Sequence, residues 1–488
     1  MNKKVIAVDI GASSGKMAFG EFDGSQLLVR EYRDFANRPV DIGTALYWDV
    51  FSLHNAIVDG MAYFKEKYGE ADAVAVDTWG ASYGLLDKKG RLMEPVYHYR
   101  DERTRTTIQD MNSVMNTYEL FRLTGCQCNR TYTLPQLYSY RAENSAVLYN
   151  ASSMLLLPDL LGYFLTGVKT TEMTIAGTSC LMENRQENWS IEVARRFGIP
   201  EKLYTEIVEP RTFKGNLRQE IQIQTGMKNT RLVATVGHDS AAAVAAIPDF
   251  GENKLYISIG TNVSMGVERY ECLLSREGYL KGFKNTGGID RKKIIYRDFS
   301  ACWHLNEFIR TRKEQGITYS FVDLINMALE VKNPVPWFDV EVLSFNEAGG
   351  DFCRKMNQYF AQTGQRELTE DGEFVRSIYE SIVLKIRHYA EALKELGIIY
   401  GRINIINGAV RNSLLMQMIS NALGKEVYAG MEYATLTGNL LTQLYAMGEV
   451  KTVKEMRSLS AECFSMKQYG PEEQEYWTET AEKYERII

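Results

Sequence analysis

Apolar residues fall in short runs that alternate with longer stretches where they recur every three or four positions, and this alternation predicts an α/β architecture. Val5, Ile6, Ala7 and Val8 read as a strand entering the turn DIGASSGK, and MAFGEFD (residues 17–23) as its hairpin partner. Residues 74–76 read as a second short strand ending at Asp77. Val375, Ile378, Tyr379, Ile382, Ile386, Tyr389 and Leu393 share one face at helical spacing, which predicts a long amphipathic helix stopping at Gly397. RINIING (residues 402–408) follows as strand and turn. The alanine-rich run at 240–246 predicts a tightly packed helix ended near Pro248. Residues 332–351, opening on KNPVP, follow neither period and read as a surface loop.

One pattern occurs twice. VIAVDIGASSGKMAFGEFDG near the start resembles KLYISIGTNVSMGVERYE from Lys254 onward, with Gly11 and Gly260 at matching places. Each copy is an apolar strand, a small-residue turn and a second strand. A unit repeated at half the chain length suggests two related domains rather than a solenoid; two unrelated hairpins with ordinary turns are the alternative. A chain of 488 residues also exceeds one ordinary core. The boundary is expected between 237 and 250, giving domains at 1–244 and 245–488.

Composition narrows the classes. The chain is 45% hydrophobic and 24% charged with a net charge of −6, typical of a globular protein without the basic face that nucleic acid requires. ATP remains compatible, because backbone N–H groups and a metal supply positive charge locally. The seven cysteines are scattered and form no zinc-spaced pairs, so they read as thiols in a reducing compartment. Asp9 interrupts the apolar N-terminal run, which argues against a signal peptide. MLLLPDLLGYFL (residues 154–165) is too short to span a bilayer. The expectation is a cytoplasmic protein, monomer or homodimer, that binds neither nucleic acid nor membrane.

Three turns carry candidate chemistry. In DIGASSG, Gly11, Ser13, Ser14 and Gly15 let the backbone approach an anion, and successive N–H groups can form a nest around phosphate. Asp9, at the strand end, can hold Mg²⁺ together with phosphate oxygens. The turn joins two strands and is not a Walker A motif, so a plain hairpin is the alternative. SIGTN (residues 258–262) is its counterpart, and NGAVRN (residues 407–412) offers backbone against which a base or ribose can lie. In GHDS, Asp239 either caps the alanine-rich helix or presents a carboxylate at its positive end.

Together these segments resemble the FGGY family of carbohydrate kinases, and within it the L-rhamnulose kinases. The resemblance rests on DIGASSGK, VDTWGASYGLLDKKGRL, HYRDERT, GHDSAAAVAAIP, ISIGTNVSMGVE, NGAVRNSLLMQMISNALGKEVYAG and ATLTGNLLTQLYAMGEV, in order along nearly the whole chain. It implies two actin-like (ribonuclease H-like) domains closing on sugar and ATP. It also implies ATP-dependent phosphorylation of a small sugar, such as L-rhamnulose to its 1-phosphate. By the same resemblance Asp239 is the general base and Mg-ATP the donor. Ala12, Ser13, Ser14, Gly15, Lys16 and Thr261 then contact the ATP phosphates, and Gly408 the adenosine. Asn306 also falls on the ATP side. Gly80, His238, Ser240 and Asp298 line the sugar pocket, with Trp79 either a stacking platform or plain core.

Several positions depart from the rhamnulose-kinase pattern. Ala81-Ser82 stands where the family usually has Val-Asp, which removes a carboxylate acceptor for a sugar hydroxyl. Arg297-Asp298 replaces Lys-Asn, Asn306 replaces Gln, and the triple-glycine adenosine loop is reduced to Asn407-Gly408-Ala409. Tyr433 takes the place of a frequent glutamate, and Lys16 that of an arginine. A kinase for a different sugar or polyol, of xylulose or fuculose type, is therefore an alternative. A non-catalytic sugar- or nucleotide-binding regulator and an actin- or chaperone-like ATPase are competing classes.

Overall fold

In the computed structural model, which describes residues 2–248 and 254–488, the first expected strand spans Lys3–Ile10. It pairs antiparallel with Ser14–Phe22, setting Val8 opposite Met17 and Ile10 opposite Gly15. Along its other edge it runs parallel to Ala73–Thr78. Val5, Ile6, Ala7 and Val8 are all fully buried, as expected for a central strand with side chains covered on both faces. The six-stranded order is Phe213–Asn216, Arg231–Val233, Ala73–Thr78, Lys3–Ile10, Ser14–Phe22, Leu27–Ala36.

Contacts divide the chain into two units. The first comprises Met1–Phe250, Glu268–Ile295 and Ala434–Phe464; the second comprises Gly251–Val267, Tyr296–Tyr433 and Ser465–Ile488. The chain leaves the first unit near the expected 244/245 boundary, then returns to it twice. Residues 249 and 250, at the edge of the expected boundary, lie outside the described residues.

The second unit repeats the strand order of the first. Leu255–Ile259 forms an antiparallel hairpin with Asn262–Arg269 and runs parallel to Ile403–Ile406. Ile403–Ile406 is parallel to Val427–Gly430, which is antiparallel to Met466–Tyr469, while Lys293–Ser300 lies beyond Asn262–Arg269. These six strands follow the order of the first sheet around the hairpin, and a seventh, Lys284–Gly287, lies beyond Lys293–Ser300. The expected long helix spans Asp371–Glu395, and all seven residues of its predicted face are buried. Gly397, just beyond it, takes a left-handed φ of 75°.

Residues 332–351 differ from the expectation of a surface loop. They are irregular apart from one 3₁₀ turn at Leu343–Phe345, but Phe338, Val340 and Phe345 are buried. The segment is anchored by the Trp337 indole N–H on Glu380 (2.8 Å) and the Phe338 N–H on the Ser381 hydroxyl (3.1 Å). Side chains of the long helix thus replace the ladder this segment lacks.

The alanine-rich helix spans Asp239–Ala246. Its six residues from Ala241 to Ala246 are all buried, and it packs against Ala434–Ala446 of the same unit. The approach is so close that a Cβ built on Gly438 would lie 1.9 Å from the Ala242 carbonyl oxygen. At the far end of the helix, buried Arg457 donates to the carbonyls of Ala245 (3.3 Å) and Val244 (3.4 Å) and pairs with Glu268 (2.6 Å). The Ser460 hydroxyl takes the Ala246 carbonyl at 2.6 Å. The last-turn carbonyls therefore have side-chain partners. Gly438→Ala should force these two helices apart and lower unfolding free energy by about 3 kcal/mol. Urea titration of the purified variant measures this, and an unchanged midpoint would contradict the packing.

Candidate active site

Strand register brings three aspartates of the first unit together. Asp9 lies beside Lys16 on one neighbouring strand and Asp77 on the other. The Thr78 N–H donates to the Gly237 carbonyl at 3.0 Å, and Thr78 forms a parallel bridge with His238. That bridge holds residues 237–239 at the end of the same strand. Asp77 is fully buried, and its Oδ2 accepts from Asn439 Nδ2 at 2.6 Å. Gln443 fixes Asn439 at 2.8 Å and also reaches the Ile6 carbonyl at 2.9 Å.

These carboxyls cannot all be charged cheaply. Burial first, then the charge of Asp9, holds the Asp77 pKa well above the carboxylate range. Burial and the charge of Asp239 push Asp9 up to about 7, opposed by a hydrogen bond from Asp77 and by Lys16. Both shifts disfavour simultaneous ionisation of this buried pair. Lys16 also forms an ion pair with Asp34.

Asp239 is the first residue of its helix, and His238 occupies the cap position without a side-chain cap bond. The Asp239 Oδ1 accepts from the Ser240 N–H and, at 3.1 Å, from the Ser240 hydroxyl. Its side chain keeps 27% of its surface exposed, while its neighbours along the helix from Ala241 onward are buried. Nε2 of buried His238 lies 3.5 Å from Asp239 Oδ1. Glu172 lies against the same segment, with Oε2 accepting the Gly237 N–H at 2.9 Å, and burial pushes its pKa up to about 7.

The segment Trp79-Gly80-Ala81-Ser82 is clamped from several sides. A Cβ on Gly80 would meet the Thr178 side chain at 2.7 Å. Ala81 has a left-handed φ of 72°, its N–H donates to Thr178 Oγ1 (3.1 Å), and its carbonyl accepts from Thr133 Oγ1 (2.9 Å). A non-glycine residue in that conformation persists only where surrounding bonds impose it. The Ser82 hydroxyl accepts both the Trp79 (2.9 Å) and Trp48 (3.1 Å) indole N–H groups. The two indoles lie 4.1 Å apart between centroids, and Trp79 joins the hydrophobic core at 8% exposure.

The other sequence-predicted residues lie on turns. Ala12, Ser13 and Ser14 are exposed at the first hairpin tip, where the Gly11 N–H closes on the Ser14 carbonyl at 3.0 Å; Gly15 is buried under Phe35. In the second unit Thr261 is exposed, and its carbonyl accepts from the Ala301 and Trp303 N–H groups, both at 3.1 Å. Gly408 is exposed, and a Cβ there would meet nothing within 4 Å. Asn407, before it, has a φ of 71° and donates to the Ser258 hydroxyl at 2.8 Å. Asn306 is exposed and Asp298 half-buried, while Arg297 pairs with Glu341 inside the second unit.

Comparison with known proteins adds an independent finding. Residues 4–246 match the N-terminal domain of the FGGY family of carbohydrate kinases, and residues 255–447 its C-terminal domain. The chain belongs to the FGGY family of carbohydrate kinases. It is 32% identical over 484 residues to a rhamnulokinase of Bacteroides thetaiotaomicron, covering 98% of each chain. It is 30% identical over 475 residues to a rhamnulokinase of Bacillus subtilis, covering 96% of this chain and 95% of that protein. Its fold resembles a xylulose kinase from Rhodospirillum rubrum, with a TM-score of 0.84 at 14% identity over 99% of this chain and 98% of the other. It also resembles a Plasmodium falciparum glycerol kinase solved with ADP, with a TM-score of 0.82 at 15% identity over 99% and 97% of the two chains.

In this FGGY kinase, no group of three or more His, Cys, Asp or Glu among the described residues is arranged to hold a metal by itself. Likewise, no helix among them is long and apolar enough to cross a membrane. Sequence reasoning passed over Asn439, Glu172, Trp48 and any role for Asp77. Asp77 had a signal, a charge closing an apolar strand beside Asp9's strand; the others lie in segments whose partners are remote in sequence. Ser82→Ala would leave two buried indole N–H groups of the FGGY kinase without an acceptor. It should lower unfolding free energy by about 3 kcal/mol, read by urea denaturation followed through tryptophan fluorescence.

Proposed function

We propose that this kinase transfers the γ-phosphoryl group of Mg-ATP to a hydroxyl of a small ketose, with L-rhamnulose giving the 1-phosphate as the leading candidate. The observation that carries this reading is the Asp239 carboxylate, part-exposed at the start of a helix that is buried from Ala241 onward. The full-length similarity to proteins named rhamnulokinase supports the choice of sugar.

In this reading Asp239 accepts the proton of the sugar hydroxyl as that oxygen attacks the γ-phosphorus, and ADP leaves with the bridging oxygen. His238, Ser240, Gly80, Trp79 and Asp298 are assigned to the sugar. Ala12, Ser13, Ser14, Gly15, Lys16, Thr261 and Asn306 are assigned to the phosphate side, and Gly408 to adenosine. The exposed residues Ala12, Ser13 and Ser14 of the first hairpin tip suit this, since a tight turn can present several donors to one anion. Mg²⁺ is assigned to Asp9. A carboxyl driven up to about 7 by burial and a neighbouring charge is one that a cation would favour in its ionised form. A single protein carboxylate with phosphate oxygens and water suits Mg²⁺, which seldom uses an all-protein cage. Held there, the cation would supply positive charge against the transferred phosphoryl group.

One observation favours a second reading of the sugar. Where the family usually has an aspartate, the Ser82 hydroxyl is engaged by two indoles, so a sugar hydroxyl held there in relatives must find a different acceptor. A related ketose or polyol with another hydroxyl pattern would then be preferred. Screening ketoses, pentuloses, deoxysugars and polyols for sugar-dependent ADP release separates the two; L-rhamnulose alone turning over efficiently removes the second reading. Asp239→Asn should reduce kcat by about 10²–10⁴-fold with the fold intact. Near-normal turnover by that variant would refute the base assignment.

A further inference from the structure

We propose that Glu172 is a positioning residue for the Asp239 carboxylate, acting through the backbone of Gly237 and His238; this rests on the reading of Asp239 as the base. Glu172 is 2% exposed and ends the strand Thr170–Glu172. It caps the short helix Met173–Ala176, with Oε1 accepting the Thr174 N–H at 2.8 Å and Oε2 the Ile175 N–H at 3.1 Å. A cap needs only an acceptor as short as aspartate or serine. The extra methylene lets Oε2 also take the Gly237 N–H at 2.9 Å and the Thr174 hydroxyl at 2.6 Å. That hydroxyl oxygen in turn accepts the His238 N–H at 3.2 Å.

Two consecutive N–H groups immediately before Asp239 are therefore held by one carboxylate and the threonine it orients. From the other side, the Gly237 carbonyl is taken by the Thr78 N–H at 3.0 Å. The approach is close enough to exclude a side chain, since a Cβ on Gly237 would lie 2.8 Å from Glu172 Oε2. A buried ion pair steadies the carboxylate's own backbone. Lys214 Nζ meets Asp159 Oδ1 at 2.6 Å and the Thr170 carbonyl at 3.0 Å, and Asp159 accepts the Glu172 N–H at 3.1 Å. Buried charges with every partner in place resist displacement, because a shift leaves a group unpaired in a low dielectric. The base thus inherits its position from a network of charges that never meets the substrate.

Glu172→Asp separates the two roles of the side chain, because aspartate can still cap the short helix but falls short of Gly237. With L-rhamnulose, or the panel sugar turned over fastest, this variant should lose kcat on the order of 10²-fold while KM for sugar and ATP stays within about twofold. Its melting temperature should stay near that of the parent. Thr174→Val, which removes the acceptor for the His238 N–H, should behave alike, and Thr174→Ser should restore the rate. If Glu172→Asp does not fold, the Thr174 pair decides alone. Wild-type kcat in Glu172→Asp would reduce Glu172 to a helix cap and overturn the proposal. So would a kcat loss in Thr174→Val that is matched by loss of folded protein. Asp239→Asn, assayed in parallel, distinguishes the underlying reading: if it stays active, the base assignment falls and this inference with it. If it is inactive while Glu172→Asp is normal, only the role of Glu172 falls.

Discussion

A carboxyl group taken out of water needs donors, a counter-charge or a proton, and the first unit meets that requirement differently at each of several neighbouring positions. Asp159 has the ammonium of Lys214. Glu172 has two N–H groups of its own short helix, one from Gly237 and a hydroxyl. Asp77 has Asn439, and burial raises its pKa well above the carboxylate range. Asp239 keeps 27% of its side-chain surface exposed and accepts from the N–H and the hydroxyl of its neighbour Ser240. Of these four carboxyls three are buried among structural partners and one, Asp239, is part-exposed, a distribution that cannot be read from the number of acidic residues.

Much of the architecture is legible from pattern alone. Apolar runs and glycine turns locate both hairpins, and the seven-residue helical face at 375–393 is buried as its spacing requires. The repeat of Gly11 at Gly260 corresponds to a shared six-strand order, although the text similarity covers only the hairpins. Residues 332–351 show that a segment without period need not be exposed. Phe338, Val340 and Phe345 are buried, and the segment is anchored by hydrogen bonds to Glu380 and Ser381, which no local pattern announces.

The site divides along the same line. Asp9, Asp239 and the hairpin tips stand at chain positions where a strand or helix visibly begins or ends, so local sequence points to them. Asn439 reaches Asp77 across more than 350 positions of sequence, and Glu172 reaches Gly237 across 65; such pairings depend on topology. Ser82 is the opposite case. It reads as the loss of a family carboxylate, whereas in the structure its small hydroxyl is what the facing pair of indoles requires.

The first unit is not contiguous in the gene. The helix bearing Gly438, Asn439 and Gln443, and the arginine that meets the far end of the Asp239 helix, are encoded after most of the second unit. A polypeptide cut after residue 250 would expose an alanine-rich helix surface, strand the Asp77 carboxyl and leave terminal carbonyls bare. Dissection at the midpoint therefore yields no self-sufficient half. During synthesis the N-terminal sheet must wait, incompletely covered, until nearly the whole chain has emerged.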